Sequence, residues 1–428
     1  MLRAGFAALA QNETAEEAAL HTSTLAVFLI MPGQQPISVC IIVENLPVPF
    51  DRRVWQEACA LRDAGYRVSV ISPRRGEFQS SYERREGIEI YRHSLWEASS
   101  PLGYLVEYIW ALAAELRLTV KVYRRSRFRI LHACNPPDTI FLIGRLFSPL
   151  GVRFIFDHHD LNPELYEAKF GRKSGLLYRL LRLAERLTYR AAAVAIATND
   201  SYREIAIERG SMPPERVFVV RSSPDMLKIQ QRPPQPELKG GKRFLVVYLG
   251  VMGPQEGLDL LLQSIICFQK RRQTDDTHFV LIGAGSELSR LRRLALETGL
   301  GSRVHFTGRI PDEEVAAYLS TADVCVAPDP MNPMNDKSTM NKILEYMAYS
   351  RPVVLFDLTE GHRAAGDAAL YARPNDPADF AEKIIQLLDC DALRQQLGEA
   401  GRQRIQEQLS WEVQKQELLR AYEKALEG

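Results

Sequence analysis

The sequence predicts an α/β protein of two doubly wound halves, each a parallel sheet covered on both faces by helices. Three observations carry that prediction. Short apolar runs alternate with amphipathic helical stretches along almost the whole chain. The runs are apolar on both sides of the strand, as in a sheet buried on two faces. The alternation breaks once, at 230–242 (QRPPQPELKGGKR), where proline, glycine and charge mark a linker, and then restarts. A length of 428 residues likewise exceeds one ordinary core.

The first strand is expected at 38–43, a β-branched apolar run. After the loop NLPVPF, Asp51 opens a helix that puts Val54, Trp55, Ala58, Cys59 and Leu61 on one side. Gly65 stops it, and a strand follows at 67–71. Further strands are expected at 88–91, 130–133, 154–156, 193–198 and 217–220, with helices at 102–125, 138–146 and 176–190. Past the linker, strands are expected at 244–249, 279–282, 304–306, 324–326 and 353–356. Helices are expected there at 258–268, 288–298, 313–320 and 338–349, then at 377–388, 391–407 and 411–426. The chain thus divides into an N-terminal domain at 38–228, a linker at 229–242, a C-terminal domain at 243–408, and a terminal helix at 409–428 that packs back on the first domain. Parallel sheets of this kind take ligands beyond the carboxyl ends of their strands, so two facing ones make one interdomain cleft.

Composition narrows the classes of partner. A net charge of +1 argues against a nucleic-acid binder. Residues 38–220 nevertheless carry roughly six more Lys and Arg than Asp and Glu, which suits either a solvated surface or a face near acidic lipid or phosphate. The six cysteines are scattered without a CxxC pair and are expected as reduced, buried thiols of a cytoplasmic protein. No apolar run reaches the length of a membrane span. Residues 1–37 place Glu13, Glu16 and Glu17 before a short apolar run, unlike a secretory leader, and are expected as a poorly ordered extension.

The segment NDKSTMNKILEYMAYSRPVV, 335–354, reads as a polar loop, a helix, a turn and a strand. Ser338 or Thr339 is placed to cap the helix, and free amides at a helix start bind anions. Lys337 and Lys342 stand near that positive end, where their sign is unfavourable unless a diphosphate reverses it. Solvated lysines on a capped helix are the plainer alternative.

This segment resembles the signature of family 4 glycosyltransferases, a retaining group of GT-B fold with two facing Rossmann-like domains. In that pattern a Glu, seven residues and a second Glu precede Met-Ala-x-Gly-x-Pro-Val. The resemblance gives Glu345 the second position, on the nucleotide ribose, and brings Ser338, Thr339, Asn341 and Lys342 to the donor. Lys337 departs from the first Glu. Leu281-Ile282-Gly283-Ala284-Gly285 is a strand entering a Gly-x-Gly loop, a weak signal by itself. Arg309 and Ile310, in FTGRIP, resemble the loop that packs on the base. The stretch YLGVMGPQEG, with Gly253, stands at the phosphate loop, but Val251 and Glu256 occupy the usual Arg and Lys positions. Lys337, Lys342, Arg309, Arg52 and Arg53 are the candidates to compensate.

In the first half, DHHDLNPE follows an apolar strand. Its His and Asp suit a metal, a capped turn, or a third role that the resemblance favours: His159-Asp160 facing the donor sugar. Arg52 and Arg53 open the first helix as ligands of an anionic donor or acceptor, or as surface arginines. Asn135, in CNPPD, sits at another strand end, where Asp138 caps a helix. The cations of KVYRRSR at 121–127 suit either the helix dipole or a membrane surface. The stretches PVPFDRRVWQEA and DHHDLNPELY resemble a subgroup serving bacterial surface polysaccharides.

The resemblance therefore implies a metal-independent, retaining transfer from a nucleotide sugar to a glycan or lipid-linked acceptor, with no cofactor besides the co-substrate. The enzyme would be cytoplasmic, with peripheral contact to the inner membrane and no nucleic-acid partner. A GT-B sugar-nucleotide epimerase and a degenerate transferase acting as a binding partner are the alternatives.

Overall fold

A computed structural model describes residues 36–94, 101–171 and 173–427, with the side chains of 101–108 excepted. The expected extension at 1–37 lies almost wholly outside the described residues. Strands of the first half are β1 (Ser38–Ile42), β2 (Arg67–Pro73), β3 (Tyr82–Arg85), β4 (Ile88–His93), β5 (Ile130–Cys134), β6 (Arg153–His158), β7 (Val194–Ala197) and β8 (Val217–Val219). Those of the second half are β9 (Phe244–Leu249), β10 (Thr277–Ile282), β11 (Val304–Gly308), β12 (Val324–Ala327), β13 (Val353–Phe356) and β14 (Ala369–Ala372).

The helices in chain order are α1 (Arg52–Asp63), α2 (Pro101–Ser126), α3 (Phe141–Phe147), α4 (Asn162–Phe170), α5 (Leu176–Ala191), α6 (Asp200–Glu208) and α7 (Leu258–Arg272). They continue with α8 (Leu288–Glu297), α9 (Asp312–Thr321), α10 (Asn341–Ala348), α11 (Thr359–Ala365), α12 (Pro377–Asp389), α13 (Asp391–Arg404) and α14 (Trp411–Glu427).

Two sheets result, with orders β3-β4-β2-β1-β5-β6-β7-β8 and β11-β10-β9-β12-β13-β14. In each, the first strand sits centrally and the chain winds outward on both sides of it. That makes β1 and β9 the points where the winding direction switches, the usual seat of ligands in open α/β sheets. The central strands are buried except for the half-buried Leu249 at the end of β9, as their apolar runs require. In the second half, one core layer holds Val246, Leu262, Phe268, Phe279 and Phe380, and the other holds Val247, Leu319, Tyr346 and Met347. By internal contacts the chain separates into two compact units. Among the described residues, one comprises those up to Asp157, Leu187–Ala195 and those from Tyr422 on, and the other those within His158–Arg186 and Ile196–Ala421.

Asp51 does cap α1, accepting from the Val54 amide at 3.1 Å. Several elements lack a sequence signal. Strand β3 is polar and pairs antiparallel at the sheet edge, where no burial demands apolar residues. Helices α4 and α11 are short and have too few turns for a clear period. The expected helix at 338–349 begins only at Asn341. The one expected at 391–407 ends at Arg404 and passes into a π-type turn, Ile405–Leu409.

Candidate functional site

At the switch point of the second sheet, the loop after β9 folds against the loop after β10. The Gly250 amide donates to Ile282 O and the Met252 amide to Ala284 O, both at 3.0 Å. Gly283 adopts φ +140°, and a Cβ there would fall 1.8 Å from Gly250 O. One at Gly285 would fall 2.3 Å from Met252 O. The Gly-x-Gly pattern thus lets two loop backbones pack together. Gly253 is buried in the same loop.

Lys342, in the first turn of α10, is buried. Its ammonium lies 2.7 Å from Glu256 Oε2 and 2.8 Å from Asp329 Oδ1. Asp329 follows β12, the strand beside β9. The Tyr248 ring lies 5.0 Å from the ammonium, and the Tyr248 hydroxyl donates to Val251 O at 2.9 Å, with Glu256 Oε2 at 3.1 Å. Gly250 makes room, since a Cβ there would sit 2.6 Å from the Tyr248 oxygen. The Leu249 amide donates to the Tyr346 hydroxyl at 2.7 Å, and that hydroxyl reaches Val326 O at 3.2 Å, which pins α10 to the ends of β9 and β12. Burial disfavours the Lys342 ammonium, but Asp329 and Glu256 outweigh it and raise its pKa. Burial pushes the Asp329 carboxyl up, against the pull of Lys342. One cation between the buried Asp329 and the half-buried Glu256 leaves the cluster one charge negative when all three are ionised.

The expectation that Ser338 or Thr339 caps this helix is corrected. The helix starts after Met340 with no side-chain cap. The Ser338 hydroxyl donates to Met334 O at 2.8 Å, and that of Thr339 reaches toward Glu360 Oε2 at 3.4 Å. Asn341 is exposed and Glu345 half-buried on α10. Arg309 is exposed in the loop after β11, and Ile310 packs partly on the core. The alternative of two solvated lysines fails for Lys342, whose partners are supplied by loops that sequence distance hides.

Lys337 closes a 3-10 turn ahead of α10. Its ammonium lies 3.0 Å from Glu164 Oε1, and its carbonyl accepts from Asn199 Nδ2 at 2.8 Å. Arg209 holds both Glu164 oxygens, at 2.7 and 3.2 Å, and reaches Glu185 at 2.5 Å. Burial opposes ionisation of Glu164, yet the Arg209 and Lys337 hydrogen bonds outweigh it and hold the carboxyl below its ordinary range. Two cations thus meet two carboxylates. His159 and Asp160 are half-buried in the turn between β6 and α4. His158 packs its ring 5.1 Å from Tyr202.

At the switch point of the first sheet, Arg53 is buried and donates to both Asp157 oxygens, at 2.9 and 3.2 Å, with Glu57 at 3.1 Å. His132 and Cys134 share one face of β5, and Asp157 pairs in register with Cys134 on β6. Their ligand atoms lie within 4.8 Å of one another, and His132 Nδ1 is 2.7 Å from the Tyr422 hydroxyl. The positive charge of Arg53 is therefore matched inside the sheet, whereas Arg52 is exposed. Asn135 is buried and donates to Asp138 Oδ1 at 2.7 Å. Asp138 itself begins a 3-10 turn after Pro137, so it is not a cap.

Asp329 and Arg209 lie outside the motifs, and Tyr248 and Glu164 lie inside YLGVMGPQEG and DHHDLNPE without a role having been assigned to them. Only Asp329 carried a legible signal, being the first carboxylate after an all-apolar strand.

Comparison with known proteins matches residues 51–222 to the family described as glycosyl transferase 4-like domain. Residues 243–390 match glycosyl transferases group 1. The chain is 29% identical over 209 residues to phosphatidyl-myo-inositol mannosyltransferase of Mycobacterium leprae, covering 47% of this chain and 52% of that protein. It spans about half the length of the curated relatives it matches first. Sucrose-phosphate synthase from Thermosynechococcus elongatus superposes with a TM-score of 0.72 at 19% identity, over 91% of this chain and 99% of that one. The Anabaena protein Alr3699/HepE in complex with UDP and glucose gives 0.69 at 17%, over 90% and 99%. Likeness at this identity establishes the fold. Among the described residues no helix is long and apolar enough to cross a membrane.

Proposed function

From its membership in the group 1 glycosyltransferases of GT-B fold, to which this chain belongs, we propose that it moves a sugar from a nucleoside-diphosphate donor to a glycan or lipid-linked acceptor with retention of configuration. The observation that carries the reading is the start of α10 at the β9/β12 switch point. No side chain caps that helix, and with the Ile343 amide donating to Met340 O the amides of Asn341 and Lys342 are those that would meet a diphosphate. The Anabaena neighbour, bound to UDP and glucose, supports a donor of this class.

In this reading the second half, 243–408, holds the donor and the first half, 38–228, the acceptor. Glu345 takes the ribose hydroxyls, and Arg309 and Ile310 border the base. His159 and Asp160 face the sugar, and Arg52 and Asn135 lie on the acceptor side. Lys337 assists the leaving diphosphate by exchanging its partner Glu164 for phosphate oxygens. Stabilising that leaving charge in a water-poor site is the main catalytic demand. The transfer needs no divalent metal, and the acceptor hydroxyl attacks from the face the diphosphate leaves. The setting is the cytoplasmic side of bacterial surface-polysaccharide synthesis.

One observation favours a second reading, a degenerate transferase that binds without turnover: both lysines of the segment are matched by carboxylates. Incubation with a panel of nucleotide sugars separates the two. A transferase releases nucleoside diphosphate slowly without acceptor and quickly with it. Binding without release would establish the second reading, and an altered sugar an epimerase.

A further inference from the structure

Helix α5 turns most of its leucines away from the protein. Leu176, Leu177, Leu180 and Leu183 are 75, 54, 50 and 51% exposed. At about 100° per residue they fill one arc, while Glu185, Thr188 and Tyr189 form the buried face. A surface helix of a globular protein ordinarily points its apolar stripe at the core, and here the fold uses the opposite side. Beside the leucine arc runs a row of exposed arginines, Arg179, Arg186 and Arg190. The only acidic residue of the helix, Glu185, is buried against Arg209. The preceding helix α4 adds Phe170, 52% exposed, and the exposed Lys173 follows it.

We propose that the α5 face docks on an anionic lipid bilayer, with the leucines entering the interface and the arginine row meeting the headgroups. The argument is charge complementarity. An apolar stripe flanked by one-signed cations, with its acid hidden, matches the geometry of a helix lying in a membrane surface. A second copy of the chain is disfavoured, because mating two such faces sets arginine rows of like sign beside each other. This differs from the basic end of α2, where Arg125 and Arg127 lie 5.8 and 5.3 Å over the rings of Tyr82 and Tyr123. The inference explains how a lipid-linked acceptor would be met, but it concerns the surface alone and is read without any activity.

The test is co-sedimentation of the full chain with phosphatidylcholine vesicles and with vesicles holding phosphatidylglycerol. Binding is expected to the anionic vesicles, weakening as salt rises. Leu180→Ser/Leu183→Ser and, separately, Arg179→Glu/Arg186→Glu are expected to lower the partition coefficient by roughly tenfold or more. All four side chains are exposed or on the exposed face, so circular dichroism should show an unchanged fold. No binding to anionic vesicles at low salt, or wild-type binding by both variants, overturns the proposal. A dimer seen by light scattering and lost in the leucine variant, without vesicle binding, overturns it in favour of a second copy. Vesicle binding without nucleotide release in the donor panel would leave the docking surface standing and sink the enzymatic reading.

Discussion

The Lys342 ammonium and the Glu256 carboxylate meet at 2.7 Å, although 86 residues separate them in the chain. Glu256 occupies a position where the resemblance expects a lysine, and its partner is a lysine from the next signature segment. The contact joins the loop after β9 to the start of α10. With Asp329 as the second partner, it holds together the three segments that surround the switch point.

Replacing Lys342 by Met should therefore leave the buried Asp329 and the half-buried Glu256 without a cation. The expected loss of stability is about 3–5 kcal/mol. Chemical denaturation of Lys342→Met, Glu256→Leu and the double variant checks this. The double variant should be less damaged than the sum of the singles. Additive losses would show that the pair is not coupled.

Glu345→Gln should weaken nucleoside-diphosphate binding by about 1–3 kcal/mol with the fold intact, since a charge-assisted bond to the ribose becomes a neutral one. Titration calorimetry reads this directly. Equal affinity in the two proteins would remove Glu345 from the ribose.

Lys337→Glu restores the residue that the resemblance expects, yet it should impair turnover. It sets a carboxylate against Glu164 and beside the diphosphate, with Val251 and Glu256 still in place of cations. Lys337→Gln should retain more activity than Lys337→Glu. Wild-type turnover and donor affinity in the Glu variant would assign Lys337 a purely structural place.

Glu164 makes stability depend on pH in a definite direction. Its folded pKa is depressed below an unfolded value of about 4.3. Its contribution is therefore complete above the unfolded pKa and is lost as pH falls through the folded one. Between about pH 5 and the onset of acid unfolding, Glu164→Gln should show a flatter stability profile than wild type. Parallel profiles from denaturation at several pH values would contradict the assignment.

Transfer should persist in chelator, because no metal is assigned to the diphosphate. Activity abolished by EDTA and restored by magnesium or manganese would reverse that prediction. The buried His132, Cys134 and Asp157 would then be the first place to look.

The sequence by itself determined the two-sheet architecture, because strands buried on both faces must be apolar and the helices between them amphipathic. It likewise located the loops at the strand ends, since the positive φ of Gly283 and the cap Asp51 are local backbone needs that leave a local mark, whereas Gly285 clears Met252 O of the neighbouring loop. What only the tertiary structure decided is which charges meet. Lys337 finds Glu164 and Lys342 finds Glu256 and Asp329, while Arg53 turns inward to Asp157. None of these pairings has a periodicity, for each joins helix starts, loops or strand ends brought together by sheet order. The displaced start of α10 has one local and one tertiary origin. Ser338 and Thr339 are good caps in isolation, but Met334 O takes the first hydroxyl and the second turns toward Glu360. The exposed arc of α5 shows the converse. The sequence marks this segment only as a helix, because amphipathic period says how wide an apolar face is and not whether protein or solvent covers it.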